Sequence, residues 1–305
     1  MQVITPRPSD LGDGFVVHRA LPSAARRAVG PFVFLDEFGP VTMEPGRGMD
    51  VRPHPHIGLA TVTYLFEGEV VHRDSLGSVE TIRPGEVNWM TAGRGIVHSE
   101  RSPQSARAAG ARLWGLQFWV ALPLELEACP PAFAHHDAEA LPRAARGGVR
   151  LNVVLGEAFG LRSPVALTSP MFLVDARLEA GARLELDVKH AERAAYVVSG
   201  EVRTIGANAG AEAPVVREHL LAFDDGEPLV LEAGAEPAHV VLLGGPPLDA
   251  PRFLWWNFVS SSRDAILDAQ GTWSAQDPAQ FPPVPGETEH IPLPSRPAPP
   301  APTTL

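Results

Sequence analysis

Short runs rich in Val, Phe, Trp, Tyr and Thr recur along both halves of the chain, and turn residues separate them. Such runs are typical of β-strands, because branched and aromatic side chains pack well on a pleated sheet. The chain also contains 28 Gly and 32 Pro residues, which suits many turns between short strands. The predicted strands are residues 14–19, 32–37, 60–66, 69–74, 79–83, 86–91, 113–121, 149–155, 171–178, 182–186, 194–199, 201–205, 215–223, 228–231 and 239–243.

One stretch has a helical pattern. It covers residues 262–270, with Ser261 as the predicted cap and Gly271 as the predicted stop. Many short strands with so little helix predict an all-β fold, either a sandwich or a closed barrel. From residue 281 the chain is rich in proline, and we expect an extended or disordered tail.

A short motif occurs once in each half of the chain. The sequence YLFEGEV at residues 64–70 is echoed by YVVSGEV at 196–202, and both describe a strand that enters a glycine hairpin. With a length of 305 residues, this repeat favours a duplicated β-barrel. The predicted parts are an N-terminal barrel at 1–125, a linker at 126–148, a C-terminal barrel with the short helix at 149–280 and the proline-rich tail at 281–305.

Composition excludes several classes of protein. Hydrophobic residues make up 45% of the chain, which excludes disorder throughout. The net charge is −11, without a basic cluster, so we expect no direct nucleic-acid binding. A single cysteine, Cys129, excludes an internal disulfide and a cysteine-rich metal site, and it suits a cytoplasmic location. The opening residues lack an apolar signal segment and no apolar run reaches about 18 residues, so we expect no membrane association.

Two motifs carry side chains that bind metals. The first is HPH at residues 54–56, and the second is AGRGIVHSE at residues 92–100. Residues two apart on a strand point to the same face. If the two strands are neighbours, His54, His56, His98 and Glu100 converge. Three imidazoles and a carboxylate suit Fe(II), Mn(II), Ni(II), Cu(II) or Zn(II), and they leave coordination positions open. A single pair of histidines two residues apart is more often a surface or core feature than a metal site. The second motif argues against such a chance occurrence here.

These motifs resemble those of the cupin superfamily, and specifically of the pirin family. The general cupin pattern has a glutamate four or five residues after the histidine pair, where this chain has Ala60 and Thr61. Pirins take their carboxylate from the end of the second motif instead, which here is Glu100. Other similar stretches are PFVFLDEFGP, NWMTAGRGIVHSE, GLQFWVALP, LNVVLGEAFG and LLGGPPLDAP. The first cupin motif is matched at Gly48, His54, His56 and Gly68, and the second at Gly85, Gly93, Gly95 and His98.

The resemblance implies a bicupin, which is two double-stranded β-helix barrels with metal only in the N-terminal one. Iron is the usual metal, as Fe(II), and Mn, Ni, Cu, Co or Zn are the alternatives. The second half agrees, because it has no histidine pair near Tyr196. Its scattered histidines, His190, His219 and His239, are predicted to be surface or packing residues.

The resemblance also implies two kinds of function. The first is a flavonol (quercetin) 2,3-dioxygenase, in which Glu100 binds the metal and takes the proton of the flavonol 3-hydroxyl. Its partners would be O₂ and a flavonol or other small phenol. An apolar pocket should cover the metal, although each candidate side chain also suits an ordinary barrel core. The candidates are Phe66, Trp89, Met90 and Trp119.

The alternative is a non-enzymatic protein whose metal or redox state controls binding to a protein partner. The strand at residues 14–20 offers a contact surface, but its only basic or imidazole side chains are His18 and Arg19. A third reading is a metal protein acting on an unknown small molecule, with flavonol turnover as a side activity. The physiological substrate, the native metal and the oligomeric state stay open at this point.

Overall fold

Strands dominate the computed structural model, which describes residues 1–10, 15–186, 190–206, 214–294 and 302–303. The helices in this part of the chain are α1 (Gln104–Ala109) and α2 (Arg263–Ser274), with a 3₁₀ turn at Leu124–Leu126. The prediction of an all-β chain with a short helix near the C-terminus is therefore confirmed, and α1 is an addition that the sequence did not indicate.

The strand bounds are as follows. In order along the chain they are β1 (Gln2–Ile4), β2 (Arg7–Asp10), β3 (Val16–Leu21), β4 (Phe32–Thr42), β5 (Asp50–His56), β6 (Leu59–Glu67), β7 (Val70–Asp74), β8 (Val79–Ile82), β9 (Val87–Thr91), β10 (Ile96–Arg101), β11 (Arg112–Ala121), β12 (Ala132–His136), β13 (Arg143–Arg146), β14 (Val149–Ala158), β15 (Leu161–Arg162), β16 (Phe172–Leu178), β17 (Arg183–Glu185), β18 (Glu192–Ser199), β19 (Glu201–Thr204), β20 (Val215–Val216), β21 (His219–Phe223), β22 (Val230–Ala233), β23 (Ala238–Gly245), β24 (Arg252–Trp255), β25 (Phe258–Ser260) and β26 (Pro302–Thr303).

The chain forms two compact units, each assembled from separate segments. The N-unit comprises Ser9–Val17, Leu35–Ala138 and Leu248–Leu305, and the C-unit comprises Met1–Pro8, His18–Phe34 and Glu139–Pro247. The C-unit includes the start of the chain because β1 pairs with β21. The N-unit includes α2 and β25 because their apolar side chains cluster with those of β10. Contacts therefore group the chain differently from the boundaries expected at residues 125, 148 and 280.

The predicted linker is also built into the two units. Within it, β12 pairs with β9 of the N-unit, and β13 pairs with β14 of the C-unit. Glu127 bonds the buried Arg252 guanidinium and accepts hydrogen bonds from Ser261, both in the N-unit. Residues 126–148 are thus paired strands and turns with specific partners.

Each unit contains a large sheet and a small four-stranded sheet. In the N-unit the large sheet runs β12-β9-β6-β11-β4 and the small sheet runs β5-β10-β7-β8. In the C-unit the large sheet runs β1-β21-β18-β23-β16-β14-β13 and the small sheet runs β17-β22-β19-β20. The two small sheets use corresponding strands in the same order, which confirms the duplication predicted from the repeated hairpin motif.

Helix α2 starts and ends later than the sequence indicated. Its cap is Ser262, whose hydroxyl accepts from the Ala265 N–H at 3.4 Å, and the helix passes through Gly271. Trp273 is buried with Ile266 in one apolar cluster, and this packing continues the helix for three residues beyond the glycine. Tertiary contacts here outweigh a local stop signal.

The C-terminal segment, residues 281–294, packs on the N-unit. Phe281 and Val284 join the cluster around Val97, and the Ile291 N–H donates to the Pro53 carbonyl at 2.8 Å. The tail was expected to be extended or disordered, and for these residues the disordered alternative is wrong. Residues 295–301 and 304–305 lie outside the described part.

Candidate metal centre

Strands β5 and β10 place the three predicted histidines on one face of the small sheet. The strands are antiparallel, with His98 directly opposite His54 and Ile96 opposite His56. Because His54 and His56 are two residues apart and cross-strand partners share a face, all three imidazoles point to the same side.

The three imidazoles form a compact, buried cluster. Each offers a ring nitrogen, and these nitrogens all lie within 4.8 Å of one another. His56 Nε2 and His98 Nε2 are 3.1 Å apart. Two nitrogens at right angles on a metal, each about 2.1 Å from it, lie about 3.0 Å apart. The separation therefore suits two adjacent ligands of one cation.

For two of the three rings, a hydrogen bond to the second nitrogen sets which nitrogen faces the cluster. His54 Nδ1 donates to the Arg52 carbonyl at 2.9 Å, and His56 Nδ1 donates to the Asn257 carbonyl at 3.1 Å. A carbonyl oxygen can only accept, so Nδ1 carries the proton and Nε2 keeps its lone pair. This is how metal-binding histidines are commonly oriented. The donor set of this chain therefore fits a transition metal.

The surroundings keep the imidazoles uncharged. Burial lowers the pKa of His54 from 6.5 to about 4. Burial, followed by the proximity of the other histidines, lowers the pKa of His56 and His98 well below the usual value. Neutral imidazoles are the form that binds metals, so the cluster is ready for a cation at neutral pH.

Glu100 lies on the same face but outside the compact group. Its carboxylate does not belong to the set of described ligand atoms that lie within 4.8 Å of one another. Oε1 accepts from the Thr63 hydroxyl at 3.2 Å, and that hydroxyl is 2.9 Å from Gln117 Oε1. Burial raises the pKa of Glu100, against the opposing effects of His72 and Thr63. Its role as fourth ligand and base stays a prediction.

Two further residues of the site were not identified from the sequence. Strand β7 pairs with β10, placing Asp74 opposite His98 and His72 opposite Glu100. Both are buried. Their signal was a second pair of polar residues two apart, in VVHRD after the glycine hairpin. Without the strand order, this pair is indistinguishable from a surface histidine and acid.

The four apolar candidates divide between the two faces of the large sheet. Thr61 is opposite both Met90 and Trp119, and Thr63, two residues along, contacts Glu100. Met90 and Trp119 therefore share the face directed at the site, and the Trp119 ring lies 5.2 Å from that of His56. Trp89 is opposite Val62, and the Phe66 ring lies 5.8 Å from that of Tyr64, which shares a face with Val62, so both belong to the other face. The pocket expectation is wrong for Trp89 and Phe66.

A tight turn leads into the strand of His98. Gly93 has φ of +52°, and a Cβ there would lie 2.0 Å from the Cys129 carbonyl oxygen. Only glycine fits this close approach. The turn from β9 to β10 is closed by the Gly95 N–H donating to the Ala92 carbonyl at 3.0 Å. This agrees with the turn expected around Gly93 and Gly95.

Four other histidines have partners outside this cluster. His135 Nδ1 lies 2.8 Å from Asn88 Oδ1, and its Nε2 is 3.4 Å from Asp137 and 3.8 Å from Glu86. In the C-unit, His190 stacks on Phe172, His219 contacts the Val216 carbonyl and buried His239 contacts Asp175.

Two barrels with the same strand order, one of them holding a buried histidine cluster, define a two-barrel cupin protein. Family models confirm this class: the one described as "Pirin" matches residues 14–120, and the one described as "Pirin C-terminal cupin domain" matches residues 173–277. The chain belongs to the pirin family.

Relatives with known names cover nearly the whole chain. A pirin-like protein of Caulobacter vibrioides is 49% identical over 276 residues, covering 90% of this chain and 92% of the relative. A Pseudomonas aeruginosa protein provisionally named as a quercetin 2,3-dioxygenase is 42% identical over 280 residues, covering 91% and 84%. The crystal structure of quercetin 2,3-dioxygenase from Acinetobacter baumannii superposes with a TM-score of 0.90 at 32% identity, covering 99% of this chain and 98% of that one.

None of the helices in the described part of the chain has the length and apolar character that a membrane crossing requires.

Proposed function

We propose that the protein is a metal-dependent dioxygenase that opens the heterocycle of quercetin-type flavonols with O₂. The observation that carries this proposal is the convergence of three uncharged imidazoles, each with its outer ring nitrogen held by a hydrogen bond. The likeness to the quercetin 2,3-dioxygenase of Acinetobacter baumannii supports the choice of reaction.

Metal binding and proton transfer are assigned to particular residues of the site. His54, His56 and His98 hold the cation through Nε2, and Glu100 is the proposed fourth ligand. When bound, the metal would supply Lewis-acid and redox chemistry for the reaction of the flavonol with O₂. Glu100 accepts the 3-hydroxyl proton, and we assign this to Oε2 because Thr63 donates to Oε1.

Substrate contacts are assigned to the apolar side chains on the site face. Met90 and Trp119 face the site, and a flavonol is a flat aromatic molecule that packs well against such groups. Fe(II) is the proposed metal, with Mn, Ni, Cu, Co and Zn as alternatives that the same donor set accepts. We place this activity in the cytoplasm, which the single Cys129 thiol suits.

Reconstitution of the purified full chain tests the proposal. Metal-free protein is loaded in turn with Fe(II), Mn(II), Ni(II), Cu(II) or Co(II), and loss of flavonol absorbance is followed together with O₂ uptake. We expect turnover with at least one metal and none without metal. Elemental analysis of untreated protein identifies the metal that the protein acquires in cells.

Variants separate metal binding from proton transfer. His54→Ala should lose both metal and turnover, whereas Glu100→Gln should lose turnover by a larger factor than metal affinity. His290→Ala is the matched control, since His290 is exposed. Tight metal binding without turnover of any phenol contradicts the enzyme and favours the metal-dependent regulatory protein.

A further inference from the structure

Two buried side chains beside the histidine cluster have no part in the proposed reaction. We propose that Asp74 and His72 are positioning residues, which fix the tautomer of His98 so that its Nε2 lone pair faces the metal. The inference rests on the metal site of the proposed function, and it concerns the hydrogen bonds of this chain alone.

Asp74 accepts hydrogen bonds through both carboxylate oxygens. Oδ1 accepts from the Leu76 N–H at 2.9 Å and from the Ser78 N–H at 3.0 Å, in the turn after β7. Oδ2 lies 3.1 Å from His72 Nε2. An ionised carboxylate has no proton to donate, so His72 Nε2 must be the donor of this hydrogen bond.

The position of the His72 proton then determines the position of the His98 proton. A neutral His72 with its proton on Nε2 presents a lone pair at Nδ1. That atom is 3.4 Å from His98 Nδ1, a long hydrogen bond. His98 therefore donates from Nδ1 and keeps its lone pair on Nε2, 3.1 Å from His56 Nε2. The His72 ring is held by stacking on Phe133, with centroids 4.3 Å apart and planes 9° from parallel.

The three histidines of the cluster are oriented by different means. His54 and His56 donate to the backbone carbonyls of Arg52 and Asn257, which can only accept. His98 instead faces another imidazole, which can accept or donate. The direction of that bond is undetermined unless a third group fixes the proton on His72, and Asp74 is the group placed to do so.

Asp74→Asn tests the direction of the hydrogen bonds that run from His98 through His72 to Asp74. The amide oxygen of the introduced side chain keeps the two backbone hydrogen bonds, so the amide NH₂ group faces His72 Nε2 and donates to it. His72 then donates from Nδ1, and His98 carries its proton on Nε2, at the metal position. We expect Co(II) and Ni(II) affinity to fall by about 10- to 100-fold, measured by chelator competition. Histidine ¹⁵N NMR of the metal-free protein should show the His98 proton moving from Nδ1 to Nε2.

A pair of variants at position 72 separates hydrogen bonding from packing. His72→Phe retains a ring on Phe133 but offers no acceptor, and it should weaken metal binding by about 10- to 100-fold. His72→Gln offers an amide oxygen to His98 and an amide hydrogen to Asp74, and it should retain affinity within a few-fold. A purely structural role predicts that Phe is tolerated at least as well as Gln.

The proposal is overturned by any of three results. These are a wild-type His98 protonated on Nε2, an unchanged affinity in a folded Asp74→Asn protein, or equal losses for the Phe and Gln variants. If Asp74→Asn fails to fold, the pair at position 72 decides. None of these readouts requires turnover, so a wild-type protein that binds metal but leaves flavonols intact overturns the proposed reaction and not this assignment.

Discussion

The small sheets of the two units have the same strand order, but they carry histidines on the inner face in the N-unit and leucines in the C-unit. In the N-unit, β5 and β10 place His54 directly opposite His98. In the C-unit, β17 and β22 place Leu184 directly opposite Leu231, and both leucines are buried. The C-unit pair belongs to a continuous aliphatic core that also includes Val202. The backbone topology therefore provides the place for a site, and the side chains decide whether a metal can be held there.

The difference has an energetic side. A buried leucine pair gains about 2 kcal/mol per side chain from removal of apolar surface from water. Buried histidines gain less, and they must satisfy each ring nitrogen with a partner. In the N-unit, two backbone carbonyls and the pair His72 and Asp74 provide partners for the three Nδ1 atoms, and the Nε2 atoms face the proposed metal position. The C-unit has ordinary apolar packing at the corresponding positions.

The largest expected effect comes from replacing histidines of the N-unit cluster by leucines, as found at the corresponding positions of the C-unit. In the double variant His54→Leu and His98→Leu, we expect metal content to fall from about one ion per chain to background, because two of the three nitrogens are gone. The metal-free protein should be at least as stable as wild type, since two polar rings become apolar. Elemental analysis and urea denaturation measure the two outcomes.

The converse exchange is the control. The double variant Leu184→His and Leu231→His should bind no metal tightly, because this exchange supplies no acceptors for the Nδ1 atoms. Retained metal in the leucine variant would show that the interior side chains are not what distinguishes the two barrels. Tight binding in the C-unit variant would show that acceptors for the Nδ1 atoms are not required.

The second effect is an acid sensitivity of the metal-free N-unit. The pKa of His54 is about 4 in the folded chain and 6.5 when unperturbed. Between these values the unfolded state binds the proton and the folded state does not, so the free energy of unfolding decreases as the pH falls from 6.5 towards 4. His54 alone should contribute about 3 kcal/mol of loss, measured by urea denaturation across this range.

Two comparisons sharpen this expectation. His54→Leu should reduce the acid loss by that amount, and bound metal should oppose it, since metal binds only the deprotonated ring. Hydrogen exchange can resolve the two units, with earlier loss of protection in β5 and β10 than in β18. A stability of the metal-free protein that is constant from pH 6.5 to 4.5 would contradict the burial argument.

The smallest effect concerns the outer face of the N-unit sheet. Glu287 accepts from Arg101 Nε at 2.9 Å, from Arg101 Nη2 at 2.7 Å and from Ser99 at 2.8 Å. We expect Glu287→Gln to cost about 1–2 kcal/mol of unfolding free energy, because it weakens charge-assisted hydrogen bonds. Metal affinity should change little, since Ser99 and Arg101 point away from the histidines.

Glu289→Gln is the matched variant. Glu289 also reaches Arg101, at 3.1 Å, but its side chain is 56% exposed, so the loss should be below about 0.5 kcal/mol. Equal losses for the two substitutions would show that the C-terminal segment is not fastened at Glu287.

Several features of this protein were readable from the sequence because they depend on a few neighbouring residues. Short runs of branched and aromatic residues between turn residues indicated the strands, and the repeated hairpin at Tyr64 and Tyr196 indicated the duplication. The spacing of two between His54 and His56 put both on one face, since a strand repeats every second residue.

Other features depended on partners that the sequence does not mark. His56 is oriented by the Asn257 carbonyl, 201 positions away, and His98 by His72 on a neighbouring strand. Burial of Trp273 extended α2 past Gly271, and β1 joined the distant strand β21. Local periodicity is encoded residue by residue and so determined the strands and the shared face of His54 and His56. The order of the strands exists only once the chain has folded, and it brings His98 beside this pair and sets the hydrogen bonds that orient each imidazole.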